Sequence, residues 1–330
     1  MYNSTNFNSL SEALANATGP IDYNMTNDYM FRAILQKNNN VLKGLICSLL
    51  HLKPSEIKSI EIKNPIELGK AMDEKEFILD LKILLNNDTI LNLEMQVQAQ
   101  LYWDDRSLVY LCRSFDQLYS GEQYSAAKPA IHIGFLDFTP FKDNPEFYAT
   151  YKLMNVKNHN VYSDKFILSV VDLTKIELAT EEDKQYQIDY WASLFKAKTW
   201  EELKMIAENN EFMQEATETL YALNADELIR QQCLAREDYY RTQNTYDKVI
   251  NDQAQMILNQ ELEIESLNGE KAALTAEING LTAENDSLTA ENDSLTAEIN
   301  GLTAENDSLT AENRKLLARI KQLETQFGSL

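Results

Sequence analysis

Basic side chains, cysteines, histidines and long apolar runs are all scarce in this chain, and each shortage removes a class of answer. Thirty Lys and Arg residues face 52 Asp and Glu, for a formal net charge of −22 over 330 residues. Residues 251–330 hold 15 acidic and 5 basic side chains, so −10 of that charge lies there and −12 in the 250 residues before it. Non-specific affinity for nucleic acid comes mainly from Lys and Arg on phosphates, so any such contact must be local or assisted by a bound cation. Three cysteines (Cys47, Cys112, Cys233) are few, odd in number and far apart. That argues against a disulfide framework, for buried structural thiols, and for a reducing, cytoplasmic compartment. His51, His132 and His159 share no metal-ligand spacing and read as core or surface residues. No CxxC pair, P-loop or GxGxxG occurs. The opening MYNSTNFNSL has neither a basic nor an apolar signal-peptide region. No apolar run approaches the roughly 20 residues of a membrane helix, so no membrane association is expected.

What is present is a globular composition, 44% hydrophobic and 25% charged, with nearly all aromatic residues before about position 250. Residues 1–22 are polar and read as a flexible arm. From Thr26, TNDYMFRAILQ and NNNVLKGLICSLLHL carry apolar residues at helical spacing, interrupted at Asn38 to Asn40. Thr26 or Asn27 serves as a helix cap. SEIKSIEIKNP reads as a short strand ending at Pro65. EFILDLKILL and TILNLEMQVQ form a β-hairpin across Asn86-Asn87-Asp88. A helix follows in DRSLVYLCRSFDQLYSGEQY and stops near Gly121, and AIHIGFLDF and KFILSVVDL are core strands. From Glu181 onward every segment reads as helix. The expected organisation is a mixed α/β core over 23–180, a helical extension over 181–255, and a tail over 256–327.

Alternation puts Leu79, Leu81 and Ile83 on one face of the first hairpin arm with Asp80 on the other. On the second arm Leu91, Leu93, Met95 and Val97 lie opposite Asn92, Glu94 and Gln96. With the apolar faces aligned, Asp80, Glu94 and Gln96 gather on one side. Two carboxylates so placed suit Mg²⁺, which prefers oxygen ligands. Bound Mg²⁺ lowers the pKa of a water and offsets charge on a phosphodiester, while the Gln96 amide positions that water. The bland alternative is a sheet with one solvated polar face.

An Asp, a gap, and Glu-x-Lys or Glu-x-Gln on adjacent strands is the pattern of PD-(D/E)xK nucleases, present here as Leu79-Asp80 and Glu94-Met95-Gln96. The surrounding NDYMF, KEFILDLK, NLEMQVQ, RSLVYLCRSFDQLYSGEQY and KPAIHIGFLDF resemble the recombination-promoting nuclease (Rpn-like, transposase-like) family over most of 23–180. The resemblance implies a restriction-endonuclease-like mixed sheet with flanking helices and metal-dependent DNA cleavage. It makes Asp80 and Glu94 metal ligands and puts Gln96 where the motif has lysine. Leu79 stands where the motif's name has proline. Asp28, in NDYMF, falls where the family has an acidic residue near the site; its alternative reading is an N-terminal Asp favoured by the helix dipole. Arg106 and Tyr110, one helical turn apart, are candidates for a phosphate contact, with a surface ion pair as the alternative for the arginine.

Leucine recurs every seven residues from Leu267 to Leu323. With leucine at d, the a positions are Lys271, Ile278, Asn285, Asn292, Ile299, Asn306, Asn313, Ile320 and Phe327. Leu at d with Asn at a favours two parallel strands, so the expectation is a homodimer through residues 264–327. Glu fills g from Glu270 to Glu312 and Thr most of e, so interhelical salt bridges are scarce. The block from Leu274 to Ser294 nearly recurs from Leu295 to Lys315, pointing to tandem duplication. Two functions follow: a Mg²⁺-dependent DNA endonuclease made dimeric by its tail, or a decayed nuclease fold serving as a DNA-binding or coiled-coil scaffold.

Overall fold

A computed structural model describes residues 12–63, 66–67, 77–78, 81–98, 102–208 and 210–327. The chain forms two compact units, Met1–Gln243 and Asn244–Leu330.

The first unit is built on a mixed sheet. Helices α1 (Asp28–Lys37) and α2 (Asn39–Leu49) come first, broken where expected because Asn38 caps the second through its side chain to the Asn40 and Val41 amides. Strands β1 (Ile60–Lys63), β2 (Leu81–Leu85) and β3 (Thr89–Gln96) form an antiparallel meander. Ile66–Glu67 and Phe77–Ile78 pair as a separate two-stranded ribbon. The β2–β3 turn requires positive φ at Asn86 and Asn87, and asparagine tolerates it. Asn86 also accepts from the Lys58 and Ser59 amides, tying the turn to the β1 entry.

Helix α3 (Trp103–Phe115) crosses from β3 to β4 (Ala130–Leu136), so those two strands run parallel. It ends at Phe115, well before Gly121, because the chain leaves helical geometry at Asp116. Strand β5 (Tyr148–Lys152), which the sequence pattern missed, is the edge of the sheet, antiparallel to β6 (Phe166–Asp172). The sheet order is β1-β2-β3-β4-β6-β5. Helices α4 (Glu181–Gln185), α5 (Ile188–Lys196), α6 (Trp200–Ala207), α7 (Glu211–Asn224) and α8 (Glu227–Phe327) complete the chain.

Register confirms the expected alternation: Leu81 faces Leu93 and Ile83 faces Leu91. Their common face joins Met95, Ile133 and Phe135 in one core with Phe31, Trp191, Phe195, Leu203, Met213 and Leu220. Helices α5 to α7 therefore belong to the core of the sheet and are not an appendage to it. Phe31, Phe135 and Phe195 meet with ring centroids 5.2–5.8 Å apart.

The flexible arm expected over residues 1–22 is tied down from residue 12 onward. Leu14 is buried, and Ile21 N–H donates to the Lys198 carbonyl while Trp200 N–H donates to that of Gly19. Polar composition hid this because the anchors are mostly backbone groups, which any sequence supplies.

The second unit is helix. Its d-position leucines from Leu267 to Leu323 are each 45–59% exposed. The a series extends upstream of the expected repeat through Ile264, Ile257 and Ile250, all exposed. Thr275, Thr282, Thr289, Thr296 and Thr303 each donate to the carbonyl four residues back. No helix among the described residues is long and apolar enough to cross a membrane.

Candidate active site

The polar face of β3 is not solvated. Asn92, Glu94 and Gln96 are all buried, at 0%, 2% and 3% exposure. Helix α3 roofs this face, and it sits close because Gly134 lies beneath it: a Cβ at Gly134 would fall 2.7 Å from Trp103 Cζ2. Trp103, Leu136 and Val170 make a small apolar cluster there. One turn further along α3, Arg106 reaches down to the sheet. Its Nε and Nη2 lie 3.1 and 2.8 Å from Glu94 Oε1. The guanidinium stacks 4.8 Å from the Tyr110 ring centroid in a cation–π contact. Tyr110 itself is buried, edge-on to His132.

His132, fully buried on β4, extends the arrangement. Asn92 Nδ2 donates to its Nδ1 at 2.7 Å, which leaves the ring proton on Nε2, 3.5 Å from Glu94 Oε2. Burial, followed by repulsion from Arg106, pushes the His132 pKa down to about 3, so the ring is neutral and this contact is not an ion pair. Burial raises the Glu94 pKa, and the charge and hydrogen bond of Arg106 pull against that rise.

Asp28 arrives from α1. Asn27 caps the helix by accepting from the Tyr29 and Met30 amides, which fixes Asp28 at its first position. Asp28 stands in the first turn, where the helix dipole favours it, and it is also 1% exposed with its Oδ2 bound by two side chains of α8. Arg236 Nε donates to Oδ2 at 2.5 Å and the Tyr240 hydroxyl at 2.7 Å. The Arg236 guanidinium lies over the rings of Tyr239 and Tyr240.

Asp28, Glu94, Gln96, Arg106, Arg236, Tyr239 and Tyr240 line one cavity of about 80 Å³. Asp28 Oδ1 and Glu94 Oε2 are buried without a hydrogen-bond partner. An unsatisfied buried carboxylate oxygen is costly, and carboxylate oxygens are the ligand type that hard cations prefer. Gln96 Nε2 donates to the Gln98 carbonyl at 3.0 Å. Among the described residues no three His, Cys, Asp or Glu side chains converge as a complete metal cluster.

Of the residues expected from sequence, Glu94, Gln96, Asp28 and Arg106 therefore meet at one cavity, and Tyr110 supports it from beneath Arg106. Asp80 lies outside the described residues. His132, Arg236 and Tyr240 were missed, because nothing local marks them: they reach the site from β4 and from a helix more than a hundred residues beyond β3. The three cysteines are free; Cys47 and Cys233 are buried, but Cys112 is exposed on the outer side of α3, contrary to the expectation of three buried thiols.

No curated protein and no solved structure is significantly similar to this chain. The family model described as PD-(D/E)XK nuclease family transposase matches residues 25–249, a span that takes in the whole sheet, every residue of the cavity and the start of α8. With more than half of its length matched in this way, the chain belongs to the PD-(D/E)XK nuclease family of transposases.

Proposed function

We propose that the protein is a divalent-cation-dependent DNA endonuclease, with Mg²⁺ as cofactor, that hydrolyses phosphodiester bonds in recombination or DNA mobility. The observation that carries this reading is that Asp28 and Glu94, each with a buried carboxylate oxygen lacking a hydrogen-bond partner, line one cavity with Gln96 and two arginines. Glu94 and Asp28 hold the cation, with Asp80 completing the set as the family motif implies. A cation bound there supplies a polarised water and offsets charge building on phosphorus. Gln96 accepts from the attacking water through its side-chain oxygen and so orients it. Arg106, half-exposed on its Tyr110 platform, meets the phosphate. The roof of α3 excludes bulk solvent from Glu94, which strengthens each of these electrostatic contacts.

The heptad tail supports a parallel homodimer through residues 264–327, giving two active sites for a duplex. Three free cysteines fit a reducing, cytoplasmic setting. Supercoiled plasmid incubated with the protein is expected to be nicked or linearised with Mg²⁺ and to survive in EDTA. Asp80→Ala and Glu94→Ala are expected to reduce cutting to background. An intact plasmid under Mg²⁺ and Mn²⁺ alike overturns the endonuclease reading and favours the second one, a decayed nuclease fold acting as a scaffold. That alternative draws on the net charge of −22 and on the arginines that already neutralise both carboxylates.

A further inference from the structure

Two arginines hold two carboxylates at this site, and only Arg106 belongs to the segment that carries the nuclease motif. Arg236 stands on α8, and its contacts are those of a group placed to change partners. Its side chain is 36% exposed, whereas the carboxylate it binds is 1% exposed. Its guanidinium rests on Tyr239 and Tyr240, with centroid distances of 5.1 and 4.8 Å, so its position does not depend on Asp28 alone. Its Nη2 is 3.1 Å from the Tyr240 hydroxyl. It also lines the cavity itself, beside Glu94 and Gln96.

We propose that Arg236, braced by Tyr240, is a phosphate-binding residue of the substrate site that exchanges Asp28 for a DNA phosphate when a divalent cation takes the carboxylate. The inference rests on the reading of the site as a cation-dependent DNA nuclease and adds a residue and a coupling to it. In the arrangement seen, the charges of Asp28 and Glu94 are balanced by Arg236 and Arg106. A cation that binds the carboxylates displaces that balance and leaves two planar guanidinium groups beside it, each with the fork that matches phosphate oxygens bidentately. Cation binding thereby creates the anion site. This resolves the conflict between a phosphodiester substrate and a chain with −12 net charge before its tail, since attraction for DNA appears at the cavity only when the cation is present.

The test uses the full-length protein, Ca²⁺ as a cation expected to permit binding without cutting, and a fluorescent DNA duplex. Wild-type protein is expected to bind the duplex at least about tenfold more tightly with Ca²⁺ than in EDTA, and Arg236→Ala to lose most of that gain. Its salt dependence should fall by about one phosphate contact. In calorimetry without DNA, Arg236→Ala should bind Ca²⁺ more tightly than wild type, because a competing cation has gone from Asp28. Opposite changes in cation and DNA affinity distinguish exchange from a merely structural role, which would weaken both together. Tyr240→Phe keeps the ring beneath the guanidinium and should show the same pair of changes in smaller measure. If Arg236→Ala does not fold, Arg236→Lys, which keeps charge but loses the fork, should retain cation binding near wild type and lose part of the DNA gain. DNA binding by folded Arg236 variants equal to that of wild type, or a weaker cation affinity in Arg236→Ala, overturns the proposal. A wild type that binds neither Ca²⁺ nor DNA overturns instead the nuclease reading on which it rests.

Discussion

At the scale of single residues, the site is governed by burial acting on groups that ionise easily in water. Glu94→Gln keeps the shape and the Arg106 contact but removes the charge proposed to hold a cation; cutting should drop to background with little change in melting temperature. Glu94→Ala adds a second penalty, because it strips the partner from Arg106 and leaves space under α3; a destabilisation of about 2–4 kcal/mol is expected in chemical denaturation. Equal stability of the two variants would show that the Arg106 pair contributes nothing to the fold. His132 sets the pH dependence. Its folded pKa is pushed down to about 3 from 6.5, so the stability it confers is complete above pH 6.5 and is lost as pH falls from 6.5 toward 3. The slope in that window is up to about 1.4 kcal/mol per pH unit. Glu94 acts with the opposite sign: its raised pKa gives stability on the acid side that is lost as pH rises through the folded value. Urea midpoints followed from pH 7 to 4.5 should fall for wild type and fall less, or rise, for His132→Gln; parallel profiles would refute the assignment. Of this site, Glu94 and Gln96 were legible because strand alternation puts them together whatever the fold. Arg236 and His132 were not, because their meeting with Glu94 is a product of tertiary packing that no window of sequence contains.

At the scale of elements, the close seating of α3 on β4 decides whether Arg106 reaches Glu94. Gly134 permits that approach, and Trp103 fills the space a side chain would take. Gly134→Ala should therefore destabilise the protein by about 1–3 kcal/mol, and should reduce cutting more than the stability loss explains, since α3 must lift and carry Arg106 with it. Pairing the change with Trp103→Leu should recover part of both. A Gly134→Ala protein with wild-type stability and activity would show that α3 shifts freely and is not what positions the arginine. The helices and the central strands were readable from periodicity, because each has one face committed to a single core. The solvated polar face was the wrong reading of β3, since alternation reports that a face is polar and is silent on whether a helix covers it. Strand β5 was missed for a related reason: as an edge strand in which Tyr148 is partly buried, Ala149 buried and the rest exposed, it carries too little apolar pattern to announce itself.

At the scale of the whole molecule, the tail carries an exposed apolar seam along its described helix. A leucine at every d position from Leu267 to Leu323, each about half exposed, is an apolar stripe that a lone helix in water leaves uncovered. The proposed occupant is a second copy in parallel register, which would set Asn285, Asn292, Asn306 and Asn313 against their own counterparts across the axis. The near-duplicate block weakens that register, since a shift by one whole block places most a residues against identical neighbours. Two sets of substitutions separate helix stability from partner choice. Gly280 and Gly301 occupy c positions with nothing within 4 Å of an added Cβ, so Gly280→Ala and Gly301→Ala touch no partner in a dimer. Each should stabilise the tail by up to about 1 kcal/mol and leave the oligomeric state unchanged. Asn292→Ile and Asn306→Ile should raise thermal stability further while broadening the distribution of oligomers, because the residues that reject other registers and strand numbers are gone. Circular dichroism melts and sedimentation velocity on the full-length protein read both quantities at once, against a truncation at residue 243 expected to sediment as a monomer. If the alanine pair changes the oligomeric state, or the isoleucine pair lowers the melting temperature, the seam is not the Leu267–Leu323 face and the parallel dimer is wrong.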